Sequence, residues 1–233
     1  MENTDFIAIF NKTLEENALP YGEYAEAFDR LCTLLMEANE RMNLTAVRDV
    51  EGIATKHFAD SLRVCSHIPQ GAKMLDVGCG GGFPCLPVAI VRGDLCITAL
   101  DSTEKKLTFV DSAVKALSLN VATLAGRAEE LSHDSRLREK FDFVTARAVA
   151  ALPMLCELCL PFVRVGGIFA AMKTDDSELD EAKSAIARLG AHVEKIDSTP
   201  LSSMPRAIIL IKKDRPTPGD LPRAFAKIKK KAL

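Results

Sequence analysis

A glycine-rich segment, LDVGCGGGFP (75–84), holds the groups best suited to bind a ligand. It follows a short apolar run, KMLDVG (73–78), that has the length and composition of a β-strand. Gly78, Gly80 and Gly82 allow the backbone to turn sharply and to approach a ligand without an intervening side chain. Ligands of open α/β sheets bind at the carboxyl ends of the strands. We therefore predict a cofactor-binding loop at this position.

Two classes of cofactor use loops of this kind, and the spacing distinguishes them. A dinucleotide fingerprint reads GxGxxG and holds a diphosphate at a helix N-terminus. This loop reads GxGxG, and Asp76 precedes its first glycine by two positions. A carboxylate there repels a diphosphate but attracts a ligand that carries an ammonium and a sulfonium group. The loop therefore favours S-adenosylmethionine over NAD.

Acidic residues follow the next two predicted strands as well. Asp101 ends the strand CITALD (96–101), where a carboxylate can accept hydrogen bonds from both hydroxyls of a ribose. NAD-binding folds use the same arrangement, so Asp101 indicates adenosine without choosing between the cofactors. After the third strand, the turn RAEE (127–130) brings Ala128 and Glu129 to the place where an adenine edge would lie.

The elements that must position these residues alternate between short apolar runs and helical stretches. The predicted strands are 73–78, 96–101, 120–126, 141–148, 166–173, 191–197 and 206–213. Helices between most of them predict right-handed crossovers and a mainly parallel, doubly wound α/β sheet. Only STPLSSMP (198–205) joins the last two strands, which is too short for a parallel crossover, so the last strand should run antiparallel.

The first 67 residues have helical periodicity. We predict a helical N-terminal cap (1–67), an α/β domain that holds the cofactor loop (68–213) and a basic C-terminal tail (214–233). A predicted helix over residues 51–66 places His57, Asp60 and Ser61 on one face. Two interpretations of this face are open. It lines the mouth of the cofactor or RNA site, or it forms a structural network between the helices and the sheet.

Composition restricts the class of protein. The chain has 233 residues, 48% of them hydrophobic and 27% charged, and lacks both a signal-peptide pattern and an apolar run of membrane-spanning length. The seven cysteines form an odd number and do not contain a pair of CxxC motifs, which argues against disulfides and a metal site and favours a reducing cytoplasm. Residues 206–233 carry a local charge of +7 on a chain of net charge -2, which indicates an anionic partner or a merely solvated terminus.

Several segments together resemble the RsmG family, formerly called glucose-inhibited division protein B. The resemblance spans about residues 40–175 and rests on NLTAVRD (43–49), HFADSL (57–62), LDVGCGGGFPCLPVAI (75–90), LDSTEKKLTFV (100–110), GRAEEL (126–131), FDFVTARAVA (141–150) and GGIFAAMK (166–173). It implies a class I S-adenosylmethionine-dependent methyltransferase fold, Rossmann-like, with seven strands. It also implies methyl transfer to N7 of a guanine in 16S ribosomal RNA.

The resemblance also implies which residues form the site. The implied and predicted cofactor contacts together are Asp76, Gly78, Gly80, Gly82, Phe83, Asp101, Ala128, Glu129 and Arg147. Arg147 lies beside the methionine end, nearest the chemistry, where it would orient the guanine. Three positions depart from the family pattern: Cys79 and Cys85 in the loop, and Thr174 after Lys173.

Attack by the guanine N7 lone pair on a sulfonium methyl releases no proton, so the implied reaction needs orientation rather than a general base. The implied partner is 16S ribosomal RNA or the small ribosomal subunit, with no membrane and no obligate protein partner. Cations expected to meet phosphates are Arg41, Arg48, Lys56, Lys105, Lys106 and the C-terminal lysines. The open alternatives are a methyltransferase for a small molecule or protein, a noncatalytic binding module, and an NAD-dependent oxidoreductase.

Overall fold

A single seven-stranded sheet organises the computed structural model, which describes residues 3–233 and the side chains from Phe6 onward. The strands are β1 (Lys73–Val77), β2 (Cys96–Asp101), β3 (Val121–Ala125), β4 (Phe141–Arg147), β5 (Val163–Lys173), β6 (Ala191–Asp197) and β7 (Ala207–Lys213). All seven predicted strands are confirmed, and β5 begins earlier than predicted.

The strand order is β3-β2-β1-β4-β5-β7-β6. The first five strands are parallel, and β7 pairs antiparallel with both β5 and β6, as the short link predicted. The sequence did not predict that β7 lies between β5 and β6. Because β7 is reversed, its first residue, Ala207, pairs with Lys173 at the end of β5. Arg206 therefore lies at the carboxyl edge of the parallel strands.

The helices flank this sheet on both faces. They are α1 (Asn3–Glu16), α2 (Ala25–Met42), α3 (Val50–Gly52), α4 (Asp60–Leu62), α5 (Cys85–Val91), α6 (Glu104–Leu117), α7 (Ala128–Leu131), α8 (Leu152–Cys159), α9 (Leu179–Arg188) and α10 (Phe225–Lys230). A π-helix (Ile53–Ala59) joins α3 to α4, and a 3-10 helix (Arg63–His67) follows, so residues 50–67 form one helical segment. Within residues 3–233, none of the helices is both long and apolar enough to span a membrane.

Two apolar cores cover the two faces of the sheet. The N-terminal helices contribute Phe10, Phe28 and Phe58 to a core that also contains residues of α5, α6 and the sheet. On the other face, α8 and α9 pack with Leu221 and Ile228 from the C-terminal region. The helical N-terminal region is therefore confirmed, and it shares one core with the sheet. The division of the chain at residues 67 and 213 stays a prediction.

Candidate active site

A cavity of about 360 Å³ opens at the carboxyl ends of β1, β2 and β3, and we call it the loop cavity. Its lining includes four predicted cofactor residues, Gly78, Asp101, Ala128 and Glu129. They come from three different turns of the sheet edge, because the carboxyl ends of adjacent parallel strands lie side by side. The volume is within the range of small-molecule sites, roughly 300 to 1,000 Å³.

Asp101 holds the glycine loop against the end of β2. Its Oδ2 accepts a hydrogen bond of 2.9 Å from the backbone N–H of Gly80, and its Oδ1 accepts one of 2.8 Å from that of Thr103. Each oxygen of an ionised carboxylate has two lone pairs. Asp101 can therefore fix the loop and still accept hydrogen bonds from a ligand in the cavity.

Gly78 is required by both its backbone and its surroundings. Its φ is +70°, a left-handed conformation that favours glycine. A Cβ atom at this position would lie 2.6 Å from Cγ2 of Val149, a side chain that also lines the loop cavity. At Gly80, by contrast, an added Cβ would meet no atom within 4 Å, so that part of the loop borders open space.

The remaining predicted loop residues lie outside the lining of the loop cavity and support it. Asp76 is fully buried, and it accepts hydrogen bonds from the backbone N–H of Cys85 (3.1 Å) and from Oγ1 of Thr145 (3.2 Å). Burial raises the pKa of Asp76 to about 6. Gly82 packs against Leu86. Through these two hydrogen bonds, Asp76 links the strand before the loop to α5 and β4.

A second cavity, of about 310 Å³, adjoins the first, and Ala148 lines both. We call it the basic cavity, because five cationic side chains line it: Lys56, Arg63, Arg147, Lys173 and Arg206. Ala148 itself has a φ of +56°, in the left-handed region that is uncommon for residues other than glycine. The turn after β4 therefore separates a cavity with acidic residues from one dominated by cations.

Asp60 is the acidic centre of the basic cavity. Its Oδ2 lies 3.0 Å from Nη1 of Arg147, while its Oδ1 lies 3.1 Å from Nε of Arg206 and 3.7 Å from Nη1 of Arg63. Only 8% of the Asp60 side chain is exposed. One buried carboxylate therefore holds three guanidinium groups, which come from the helical segment, from β4 and from the residue before β7.

The predicted helical face lines a cavity and also forms a structural network, while its role towards cofactor or RNA stays a prediction. His57 and Asp60 line the basic cavity, and Asp60 also links the helical segment to the sheet. Ser61 is fully buried instead, and its Oγ donates to the carbonyl oxygen of His57 at 2.6 Å.

His57 is neutral and fixes Arg147 from one side. Its Nδ1 lies 3.5 Å from Nη2 of Arg147, and its Nε2 lies 2.7 Å from Oγ1 of Thr45. Because a guanidinium group only donates, Nδ1 must accept and Nε2 must carry the proton. Burial, together with the nearby Arg147 charge, lowers the pKa of His57 to about 4.

Phe83 forms the floor under these two side chains. The His57 ring stacks on it with centroids 4.7 Å apart, and the guanidinium carbon of Arg147 lies 5.5 Å from the Phe83 centroid. Phe83 lies outside the lining of both cavities, and its contact with the cofactor stays a prediction.

Lys173 stabilises the turn after β4, which separates the two cavities. Its Nζ donates to the carbonyl oxygen of Ala150 at 3.1 Å and forms an ion pair with Glu178 at 2.8 Å. Thr174, where the sequence departs from the family pattern, lines the basic cavity beside Lys173.

The other predicted cations divide between the two cavities and the surface. Lys56 lines the basic cavity and Lys106 the loop cavity, while Nζ of Lys105 donates to the carbonyl oxygen of Arg41 at 3.2 Å. Arg48 is exposed.

The sequence did not single out Arg63, Arg206 or Phe225, which line the two cavities. The predicted reversal of β7 was a usable signal for Arg206, since it brings the start of that strand to the ligand-binding edge. For Arg63, its position three residues after Asp60 in a predicted helix was a weaker signal.

The sequence profile of the family described as "GidB: rRNA small subunit methyltransferase G" matches residues 24–204. The chain belongs to this family. A ribosomal RNA small subunit methyltransferase G from Deinococcus radiodurans is 42% identical over 222 residues, covering 92% of this chain and 88% of the relative. The protein of the same name from Acetivibrio thermocellus is 42% identical over 232 residues, covering 95% of this chain and 96% of the relative.

The family resemblance is thus confirmed over most of the chain. Solved structures agree on the fold: a precorrin-6y C5,15-methyltransferase from Geobacter metallireducens superposes with a TM-score of 0.50 at 17% identity, over 66% of this chain and 87% of that one. The class I methyltransferase fold is therefore confirmed, and this family member has the mixed sheet expected of it.

Proposed function

We propose that the chain transfers a methyl group from S-adenosylmethionine to N7 of a guanine in 16S ribosomal RNA, in the cytoplasm. One observation carries the proposal. The loop cavity, with its glycines and carboxylates, meets the basic cavity at Ala148. A donor in the first and an RNA nucleotide in the second would therefore approach each other at this residue. The family's name adds the class of substrate.

The residues of the loop cavity fit an adenosine-containing cation. Asp101 lines this cavity and would accept from the ribose hydroxyls, and Glu129, which is buried at the cavity wall, would accept from the adenine amino group. Gly78 has no side chain at the point where the ligand must approach the backbone. Once bound, S-adenosylmethionine supplies a methyl group activated by its positively charged sulfur. Asp76, although buried, adds negative charge below the loop and disfavours a diphosphate in the same place.

The basic cavity fits an RNA nucleotide. Its five cations exceed its acidic groups, since Asp60 and the Lys173 partner Glu178 neutralise only part of the charge. A guanidinium group has five N–H donors. Arg147 uses Nη1 for Asp60 and the Lys56 carbonyl oxygen, which leaves donors for the O6 edge of a guanine. The guanine must leave its stack to enter, as is general for enzymes that modify bases.

The site residues orient the reactants and exclude water. N7 attacks with its own lone pair and no proton leaves, so no general base is needed. His57 agrees with this, because a pKa of about 4 makes it a weak base and both of its ring nitrogens already contact protein groups. We propose that Arg147, fixed by Asp60, His57 and Phe83, holds the guanine in line with the methyl group.

Methyl incorporation into small ribosomal subunits tests this function. Subunits from cells that lack the modification are incubated with the protein and S-adenosylmethionine labelled in the methyl group. We expect label in 16S RNA as N7-methylguanine. Label in a small metabolite or protein, with none in the RNA, would show a methyltransferase of another specificity. Cofactor binding without any transfer would indicate a noncatalytic module.

A matched pair of variants tests the role of Arg147. Arg147→Ala should lower the rate of RNA methylation by about 100-fold, because orientation within a near-attack geometry has effects of that order. Arg164→Ala is the control, since Arg164 is a half-exposed arginine on β5, ion-paired with Asp142 and outside both cavities. Equal rates for the two variants would remove Arg147 from the site.

A further inference from the structure

Residues 221–228, near the C-terminus, are anchored on the side of the sheet that carries the loop cavity. Glu157 of α8 is fully buried, and its carboxylate accepts hydrogen bonds from Nε, Nη2 and the backbone N–H of Arg223, at 2.7 to 2.9 Å. Leu221 and Ile228 on either side belong to the apolar core. Residues 221–228 are therefore an ordered part of the molecule, anchored by both charge and burial.

Arg138 and His133 add further anchors just before α10. The guanidinium group of Arg138 donates to the carbonyl oxygens of Thr217, Pro218 and Leu221, at 2.9 to 3.0 Å. Nε2 of His133 lies 3.0 Å from the carbonyl oxygen of Pro222. These contacts fix the direction in which α10 begins.

The anchored segment brings one aromatic ring to the loop cavity. Phe225, the first residue of α10, is half-buried and lines this cavity together with Asp101, Ala128 and Glu129. The guanidinium carbon of Arg127 lies 4.3 Å from the Phe225 ring centroid, and Glu129 pairs with Arg127 in turn. The ring is thus placed by a cation–π contact and shares a wall with the residues proposed to contact adenosine.

We propose that Phe225 is a cofactor-site residue whose ring packs against the adenine of S-adenosylmethionine. The inference rests on the proposed function of the loop cavity and assigns the C-terminal segment a second role besides its positive charge. Phe225 is then a determinant of affinity for the adenosine part, shared by the cofactor and its demethylated product.

Calorimetric titration with S-adenosylhomocysteine and with adenosine tests the proposal without catalysis. Phe225→Ala should weaken both ligands to a similar extent, by about 5- to 100-fold, the range for loss of one aromatic stack on a base. Phe225→Tyr should keep most of the affinity. Ala226→Ser, at an exposed position on the same helix, is the control and should bind like the parent. Thermal unfolding without ligand verifies that each variant is folded.

If Phe225→Ala folds poorly, a variant with a fluorescent side chain provides a second measurement of ligand binding. The chain has no tryptophan, so Phe225→Trp provides a single indole at the cavity wall. Its emission should change saturably with S-adenosylhomocysteine, at the concentrations where calorimetry detects binding. Val165→Trp, at an exposed position on β5 outside the loop cavity, should show no such change.

The outcomes separate this inference from the function on which it rests. A parent protein that binds no S-adenosylhomocysteine would overturn the proposed function. If the parent binds and Phe225→Ala binds equally well, with an unresponsive Phe225→Trp, only the role of Phe225 fails. Weaker binding to 16S RNA with unchanged S-adenosylhomocysteine affinity would also overturn the inference, because it would place the ring against RNA.

Discussion

Replacement of Asp60 should destabilise the fold, because three guanidinium groups depend on one carboxylate. Asp60→Asn keeps the size of the side chain and removes its charge, leaving Arg63, Arg147 and Arg206 without their shared counter-ion. Breaking a buried pair from one side costs about 3 to 5 kcal/mol. Since Arg147 and Arg206 retain 14% and 20% side-chain exposure, we expect the lower end, about 3 kcal/mol.

Urea unfolding followed by circular dichroism measures this loss. A double variant identifies its cause: Arg206→Met removes one of the stranded charges, so adding it to Asp60→Asn should cost less than the sum of the two single changes. We expect a coupling free energy of about 1 to 2 kcal/mol. A loss below about 0.5 kcal/mol for Asp60→Asn, the range of ordinary surface changes, would refute the structural role. A fully stable variant with abolished methylation would make Asp60 purely functional.

Three further predictions concern the loop, His57 and RNA binding. Gly78→Ala should weaken S-adenosylmethionine binding in calorimetry, because its Cβ meets Val149 at 2.6 Å and φ is +70°, whereas Gly93→Ala, which meets no atom within 4 Å, should not. The folded-state pKa of His57 is lowered from 6.5 to about 4, so its contribution to the free energy of unfolding is present above pH 6.5 and lost as the pH falls towards 4. Urea unfolding should show this loss, at most about 3 kcal/mol, and His57→Asn should remove it. RNA affinity in filter binding should fall at least about tenfold between 50 and 200 mM salt, and salt-independent binding would contradict a phosphate-contacting role for the cations.

Local patterns sufficed for most of the fold. Short apolar runs alternating with helical stretches predicted β1 to β7, and the length of the link 198–205 predicted that β7 is reversed. The position of β7 between β5 and β6 was not predictable in this way. It depends on which strand edge is free for pairing, and that is a property of the assembled sheet. The π-helix Ile53–Ala59 was not predictable either, because no residue type specifies such a helix.

The position of a site residue was predictable from the sequence where a single turn determines it. It was less predictable where tertiary packing determines it. Asp101, Ala128 and Glu129 line the loop cavity because each lies at the carboxyl end of a parallel strand or within four residues of it. Asp76 is near the end of β1, but its oxygens turn inward to Cys85 and Thr145. Spacing specifies where a residue lies along the chain, and only the packed structure specifies where its side chain points.

Long-range contacts account for the residues that the sequence did not reveal. Phe225 reaches the loop cavity because Glu157, in a distant helix, binds Arg223. Arg206 reaches the basic cavity because β7 is reversed beside β5. The Glu157–Arg223 contact leaves no periodic or spacing signal near Phe225, whereas the short link before β7 was a usable signal for Arg206.

Mass-spectrometric mapping of N7-methylguanine in 16S RNA tests the central claim most directly. The RNA is taken from cells that lack this gene and carry either the parent chain, Arg147→Ala or Arg164→Ala. We expect the modification to return with the parent and with Arg164→Ala, and to be absent or strongly reduced with Arg147→Ala at equal protein levels. An unmodified guanine with the parent chain, or full modification with Arg147→Ala, would contradict a guanine site in the basic cavity.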